Sequence, residues 1–248
     1  MSKIELTLEI TNYCTNECLH CSSESSREGL YLPLYIIKDF VIRNNPSLVN
    51  ISGGEPLLHP DMMSILQFLR SNCNNIKLYS GGNIEVYSML TASQLVDSIA
   101  LPMHSDNANE HDYITCYKES FNYMMDNLSV LVNNSVSVEI NIVPMSINLD
   151  KIEGMLDLIS DLGVKKANIL RLVEQGRCKY NKHLVPDREL ELEKISTVSN
   201  RKDIEVRVGH PYGDNCIANT EKKVLTARGR EIPCESFKDG YCKCAKFL

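Results

Sequence analysis

The chain has 248 residues, 43% of them hydrophobic, and a formal net charge of −6. This length and apolar fraction fit one large α/β domain, or a barrel with a small appendage, that buries a substantial core. The dispersed Lys and Arg residues argue against nucleic acid as a partner, and we expect no membrane span and no secretory signal, so the sequence predicts a cytoplasmic protein.

Ten cysteines in a chain without a secretory signal indicate metal binding and not disulfides. A strand-like run opens the chain at residues 6–13 and leads into Cys14, Cys18 and Cys21, which have the spacing C-x3-C-x2-C. One loop of this kind can wrap three thiolates around a four-iron cubane cluster, which normally has four protein ligands. One iron then stays open for a bidentate ligand. Zinc is the alternative, but it needs a fourth ligand.

Helix-like and strand-like patterns alternate along the next part of the chain. Helices are predicted at residues 34–41, after Asp61, from Thr91, and at 121–132 and 149–162, with a helical stretch after Pro186. Strands are predicted at residues 48–52, 75–79, 99–103, 136–143 and 166–173. Six β-α units can be counted, which predicts a parallel sheet with ligands at the carboxyl ends of its strands.

The second strand ends in Gly53-Gly54-Glu55-Pro56. Together with the cysteine triplet, this sequence resembles two signatures of the radical S-adenosylmethionine (SAM) family. The resemblance implies an α/β fold with a partial (β/α)6 TIM-like barrel, which we place at residues 1–208. It also implies that the open iron of a 4Fe-4S cluster binds the amino and carboxylate groups of SAM, and that this Gly-Gly-Glu-Pro run lines the methionyl part.

The resemblance implies further cofactor contacts. His20 stands where the family places an aromatic residue beside the adenine, Ser105 falls near the ribose or the substrate, and Asn141 is a contact from the fifth strand. Ser80 follows the third strand and precedes a glycine pair that marks a tight turn or a close ligand approach. For His20 and Asn141, a purely local structural role stays open as the alternative.

The segment from His104 to Thr115 resembles a fourth-strand stretch of the same family. His104, His111 and Asp112 are interpreted as residues that close a polar loop, with catalysis as the less favoured reading. Cys116 and Glu119 stand where the family often has glycine.

Four further residues receive interpretations. Arg171 and Arg177 flank a run after the sixth strand, near the expected catalytic mouth, where a guanidinium suits a carboxylate, and a solvated surface arginine is the alternative. Cys178 is a candidate hydrogen-atom donor, whereas Cys73 is interpreted as a core residue.

Residues 209–248 form a second cysteine-rich region with a predicted hairpin at 223–233 that turns at Gly229. It resembles the Twitch domain, the short form of the SPASM extension, and so implies an auxiliary 4Fe-4S cluster. The candidate ligands are Cys216, Cys234, Cys242 and Cys244. Several alternatives stay open. Cys178 or a substrate atom is the fourth ligand, or the site binds zinc, or the cysteines bind no metal.

The resemblance implies that the reduced cluster cleaves SAM to methionine and a 5′-deoxyadenosyl radical, which removes hydrogen from a substrate, with flavodoxin or ferredoxin as electron donor. Residues 171–177 resemble a stretch of peptide-modifying members, so a ribosomally made peptide is the first substrate prediction, for crosslinking, epimerisation or oxidation. Because we expect no leader-binding domain before the first strand, a small amino sugar or cyclitol is the alternative. A non-catalytic zinc-binding module or electron carrier is the remote alternative.

Overall fold

A mostly parallel sheet with helices between its strands forms the described part of the chain. The computed structural model describes residues 4–209, 218 and 220–239. The strands are β1 (Glu5–Thr11), β2 (Leu48–Gly53), β3 (Ile76–Tyr79), β4 (Ser98–Pro102), β5 (Val138–Ile142), β6 (Lys166–Ile169), β7 (Glu205–Val208), β8 (Lys222–Leu225) and β9 (Glu231–Ile232). The helices are α1 (Leu34–Asn44), α2 (Met62–Asn72), α3 (Val86–Ser93), α4 (Ala108–Thr115), α5 (Ser120–Asn133), α6 (Ile152–Asp161) and α7 (Arg188–Val198).

The sheet has the strand order β7-β6-β5-β4-β3-β2-β1-β8-β9. All neighbours from β7 to β8 are parallel, and only β9 is antiparallel to its partner β8. Within the described residues β7 and β9 are the two edges, so the barrel is open. The prediction of an α/β fold with a partial barrel is confirmed.

The two faces of the sheet differ in polarity, as β1 illustrates. Leu6, Leu8 and Ile10 are fully buried in the main hydrophobic core, which they share with Phe40 of α1. Because side chains alternate between the faces of a strand, Glu5, Thr7, Glu9 and Thr11 lie on the opposite, inner face. The inner face is therefore polar, and the helices cover the apolar outer face.

The hairpin predicted around Gly229 is confirmed, since β8 and β9 pair on either side of this residue, which has a φ of 72°. The sequence did not predict that β8 would also pair in parallel with β1. This pairing brings the chain after β9 close to the first strand. Among the described helices, none combines the length and apolar character of a membrane span.

Two helices differ from the prediction. Thr91 does not open a helix; α3 begins at Val86 and ends at Ser93, and the Thr91 hydroxyl donates to the Tyr87 carbonyl one turn earlier. The stretch interpreted as a polar loop contains α4, whose first amides donate to the Asn107 side chain. Asn is a favoured residue at a helix start because its side chain accepts from these amides.

The turn between α4 and α5 contains two residues at positions where the family frequently has glycine. Cys116 and Glu119 have φ values of 52° and 67°, in the left-handed region that glycine adopts most easily. The Asp112 carboxylate accepts hydrogen bonds from the amides of Glu119 (2.5 Å) and Phe121 (2.9 Å). Asp112 therefore holds the turn together, which agrees with its local structural interpretation.

Candidate active site at the carboxyl ends of the strands

The residues that follow β1 form a loop, here called the cysteine loop (residues 12–26), which carries Cys14, Cys18 and Cys21. All three residues are intermediate in exposure. The Cys14 amide donates to the Ser26 carbonyl (2.9 Å) and the Cys21 amide to the Cys18 carbonyl (3.1 Å), so the loop folds back on itself. The three thiols lie close enough to act on one another electrostatically.

The end of α4 supports one side of the cysteine loop. The amides of Glu17 and Leu19 donate to the carbonyls of Thr115 (3.1 Å) and Ile114 (2.9 Å). The last carbonyls of a helix have no partner within the helix, so these bonds satisfy acceptors that the helix leaves open. The cysteine loop is thus anchored to a rigid element.

The Gly53-Gly54 pair lets β2 approach the cysteine loop very closely. A Cβ atom on Gly53, whose φ is +141°, would lie 2.1 Å from the Thr11 carbonyl oxygen, and one on Gly54 would lie 2.1 Å from the Tyr13 carbonyl oxygen. The amides of Gly54 and Glu55 donate to these two carbonyls at 2.7 and 2.8 Å. Only glycine fits this contact, because any side chain would separate the two backbones.

A cavity of about 340 Å³ opens beside the cysteine loop. It is lined by Cys18, Cys21, both glycines, and residues at or just after the ends of β3, β4, β5 and β6. The polar side chains that line it include Glu9, Ser80, Asn141, Arg171, Glu235 and Lys238. The apolar ones are Ala100, Pro102, Val143, Leu170, Leu172 and Val173. Such a mix of apolar walls and a few polar groups is typical of a small-molecule site.

Ion pairs mark one end of this cavity. Lys238 pairs with Glu9, and the two side chains are 11% and 8% exposed. Lys222 pairs with Glu235 at 3.0 Å, and the Thr7 hydroxyl donates to the same carboxylate at 2.6 Å. The segment after β9 therefore contributes charged groups to the cavity and is tied to β1.

Three histidine rings lie in a row from the cavity into the protein. His20 and His104 line the cavity with ring centroids 4.6 Å apart, and His111 lies 5.1 Å beyond His104. Burial lowers the pKa of His20 to about 4, with a further lowering by the Arg177 charge, and burial lowers the pKa of His111 to about 4. These rings are therefore neutral at pH 7 and offer flat, uncharged surfaces.

Other predicted site residues lie as follows. The Ser105 hydroxyl is fully buried and donates to the Glu110 carboxylate (2.7 Å) in the turn before α4. Cys178 is fully buried in a small apolar cluster with Ile114 and Leu172. Neither residue is among those that line the cavity. Pro56 begins a short 3-10 helix after Glu55 and is buried.

Cys234 is partly exposed and directly precedes Glu235, which lines the cavity. The other three C-terminal candidates, Cys216, Cys242 and Cys244, lie outside the described residues. The structure also brings Glu9 and Lys238 to the cavity, two residues that the sequence did not suggest. The alternation of Glu5, Thr7, Glu9 and Thr11 along β1 was the available signal, because it marks a polar inner face.

The donor set of the cysteine loop fits an iron-sulfur cluster. Burial raises the pKa of Cys14 to about 12, and because a metal binds the thiolate form, metal binding at this residue releases a proton. In the described part of the chain, no three His, Cys, Asp or Glu side chains gather as closely as a single metal ion needs. In a cubane cluster each thiolate binds a different iron, so the three sulfurs need not converge on one point.

Residues 8–159, more than half of the chain, match the model of the Radical SAM superfamily. The chain belongs to this superfamily. Membership implies a 4Fe-4S cluster and SAM as cofactors. The chain is an enzyme of this superfamily, and the match covers the cysteine loop, the Gly-Gly-Glu-Pro run and the strands up to β5.

Similar proteins include the "Antilisterial bacteriocin subtilosin biosynthesis protein AlbA" of Bacillus subtilis, 24% identical over 94% of this chain and 55% of its own length. The "AdoMet-dependent heme synthase" of Methanosarcina barkeri is 27% identical over 68% of this chain and 50% of its own. The chain thus spans about half the length of these curated relatives.

The fold is similar to that of Streptococcus suis SuiB, which has been crystallised with S-adenosylmethionine. The TM-score is 0.73 at 13% identity, and the alignment covers 96% of this chain and 61% of SuiB. SuiB has also been crystallised with its precursor peptide SuiA. At this identity the likeness is one of fold.

Proposed function

We propose that the chain is a radical SAM enzyme that modifies a ribosomally made peptide by crosslinking, epimerisation or oxidation. The main support is the similarity to AlbA, a protein of bacteriocin biosynthesis, along 94% of the chain. The fold likeness to SuiB, which binds a precursor peptide, gives further support.

In this proposal Cys14, Cys18 and Cys21 hold the cluster, which leaves one iron open for SAM. When bound, the cluster and SAM supply a 5′-deoxyadenosyl radical that removes a hydrogen atom from the substrate. The chain's own residues provide binding, orientation and exclusion of water. Gly53 and Gly54 present backbone at the cavity wall, where no side chain obstructs SAM.

The apolar and the polar residues that line the cavity have different tasks in this proposal. Val143, Leu172 and Val173 provide apolar surface that keeps water from a reactive intermediate. Arg171 and Asn141 also line the cavity and bring polar groups that can bind a substrate or SAM. His20 and His104 provide neutral rings for packing against a base.

We also propose that residues 209–248 form a Twitch-like domain with a second 4Fe-4S cluster, which follows a barrel of residues 1–208 and is joined to it where β8 pairs with β1. Cys234 is the described ligand candidate, and Cys216, Cys242 and Cys244 would complete the set. The position of Cys234 beside a cavity-lining residue supports this proposal, since a second cluster there could accept an electron from a substrate radical. A flavodoxin or ferredoxin is the proposed source of the reducing electron.

Iron and sulfide content, with electron paramagnetic resonance (EPR), tests the cluster assignment on the anaerobically reconstituted full chain. A variant with Cys14, Cys18 and Cys21 changed to Ala is the comparison. About eight irons per chain, falling to about four, are expected for two cubanes. About four falling to none would remove the auxiliary cluster from the proposal, and unchanged iron would overturn the role of the triplet.

A small polar substrate is the second candidate. The similarity to a heme synthase, which makes a small molecule, and the charged cavity end with Glu9, Glu235 and Lys238 favour it. Formation of 5′-deoxyadenosine above the substrate-free rate separates the two candidates. It is measured with a panel of synthetic peptides and, for comparison, with amino sugars and cyclitols. Reconstituted protein that neither binds nor cleaves SAM would point to the non-catalytic alternative.

A further inference from the structure

The segment that follows β6 also contacts the cysteine loop, next to the end of α4. Arg177 donates from Nε to the Cys18 carbonyl (2.8 Å) and from Nη1 to the Ser25 carbonyl (2.8 Å). Its backbone amide donates to the Cys21 carbonyl (3.0 Å). One residue therefore holds three carbonyls of a loop that lies more than 150 positions earlier in the chain.

The neighbours of Arg177 strengthen this contact. The Asn181 side chain donates to the Leu19 carbonyl (3.0 Å). Gly176 has a φ of +54°, and a Cβ atom there would lie 2.4 Å from the Cys21 carbonyl oxygen. The close approach needs glycine at this position. Together these contacts fix the loop between α4 and the segment after β6, and the contact made by Arg177 is the charged one.

The charge of Arg177 reaches the thiols as well as the carbonyls. Its guanidinium acts on Cys14 and Cys18 in the direction that favours their thiolate forms. Its Nη2 is buried and has no hydrogen-bond partner within the described residues. Buried donors are normally satisfied, so this N–H is available to a bound group that accepts hydrogen bonds.

A cluster becomes more negative when it takes up an electron. A fixed positive charge nearby stabilises the reduced form and raises the reduction potential, and the effect is strong where little water screens it. Hydrogen bonds to the cluster's sulfur atoms act in the same direction. Arg177 is placed to supply the charge, and its two carbonyl contacts fix the loop that carries the thiolates.

We propose that Arg177 is a positioning residue that holds the cysteine loop and raises the reduction potential of the cluster bound there. This inference rests on the proposed assignment of that cluster to Cys14, Cys18 and Cys21. Lysine at this position would keep the charge, but it could not hold the carbonyls of Cys18 and Ser25 in the same way, because it lacks the planar fork of arginine.

The test is an EPR-monitored redox titration of the full chain after anaerobic reconstitution. Arg177→Gln removes the charge, Arg177→Lys keeps it, and Arg70→Gln is the matched control. Arg70 also binds backbone, donating to the carbonyls of Cys73 (3.0 Å) and Asn74 (2.7 Å). These two residues precede the amino end of β3, whereas the cysteine loop follows the carboxyl end of β1. The signal that disappears in the triple-cysteine variant is the one followed.

The expected result is a more negative midpoint potential for Arg177→Gln, a potential near wild type with altered g-values for Arg177→Lys, and no change for Arg70→Gln. A wild-type potential in Arg177→Gln, or an equal shift in Arg70→Gln, would overturn the inference. If Arg177→Gln retains no iron, Arg177→Lys decides: altered g-values support the inference, and a wild-type spectrum overturns it.

Failure of the proposed function gives a different result. A wild-type chain that binds no iron, or iron that the triple-cysteine variant retains in full, removes the cluster assignment and this inference with it. A wild-type chain with a normal cluster and insensitive Arg177 variants removes only the inference.

Discussion

The Glu55 carboxylate at the end of β2 accepts a hydrogen bond from the Ser80 hydroxyl, which follows β3, at 3.0 Å. The same oxygen accepts from the Gly81 amide (2.7 Å), and the other oxygen accepts from the Leu57 amide (3.1 Å). Glu55 is only 2% exposed. The side chain therefore joins the loops after two neighbouring strands at the cavity wall.

Glu55→Gln is expected to lower the free energy of unfolding by about 1–3 kcal/mol, the usual loss when a buried donor is left without its acceptor. An amide keeps one acceptor oxygen but turns an NH2 group toward donors such as Ser80 and Gly81. Urea unfolding of the metal-free chain measures the change. Glu28→Gln, at an exposed loop position, is the control and should stay within about 0.5 kcal/mol of wild type. Equal effects of both changes would contradict the role of Glu55.

Gly54→Ala is expected to separate β2 from the cysteine loop, because the new Cβ would lie 2.1 Å from the Tyr13 carbonyl oxygen. Crowding of this kind costs about 1–3 kcal/mol in stability. We also expect the variant to retain less iron after reconstitution, since the loop that carries the cysteines must shift. Gly81→Ala is the control, because its nearest contact is the Glu55 carboxylate at an ordinary 3.4 Å. Full iron retention in Gly54→Ala would show that the contact does not position the loop.

The Glu9–Lys238 pair predicts strong coupling between β1 and the segment after β9. Removing one partner of a buried ion pair leaves a charge without compensation and costs about 3–5 kcal/mol. Glu9→Gln and Lys238→Met should each destabilise the chain strongly, and the double variant should cost less than the sum. Urea unfolding of all four proteins gives the coupling. The exposed pair Lys182–Glu174 is the control cycle, with an expected coupling under about 1 kcal/mol. Additive costs at Glu9 and Lys238 would contradict the pairing.

Local pattern was enough to predict most of the fold. The alternation of strands and helices predicted the parallel sheet, and Gly229 predicted the hairpin turn. The pattern failed at α4, where the polar run from Asn107 to Asp112 resembles a loop but forms a helix with its own side-chain cap. It also missed β7, a short edge strand with mostly exposed residues and little hydrophobic signal.

The cysteine triplet was the part of the site that local spacing predicted, because its residues share one loop. Cys14, Cys18 and Cys21 stand within eight residues, and their spacing alone suggested a cluster. The contact between Arg177 and Cys18 spans 159 positions. No local periodicity encodes such a contact, because it depends on where β6 ends relative to β1. The same holds for Lys238, which reaches the cavity only because β8 pairs with β1.

His111 predicts a dependence of stability on pH. Its ring is fully buried beside His104 and Phe121, and burial lowers its pKa from 6.5 to about 4, although the Asp112 charge acts in the opposite direction. The unfolded chain therefore binds a proton at higher pH than the folded one. The stability contribution of neutral His111 is complete above about pH 6.5 and is lost as the pH falls toward about 4.

His111→Asn keeps an acceptor near the His104 amide, which donates to His111 Nδ1 at 3.4 Å, and removes the titration. Between about pH 7.5 and about pH 5, wild type is expected to lose roughly 2 kcal/mol more than this variant in the free energy of unfolding. Comparing the slopes, and not the absolute stabilities, separates titration from lost packing. His183→Asn, at an exposed position, should keep the wild-type slope. If His111→Asn keeps the wild-type slope, another group accounts for the loss of stability in acid. The prediction that the buried His111 ring resists protonation would then be wrong.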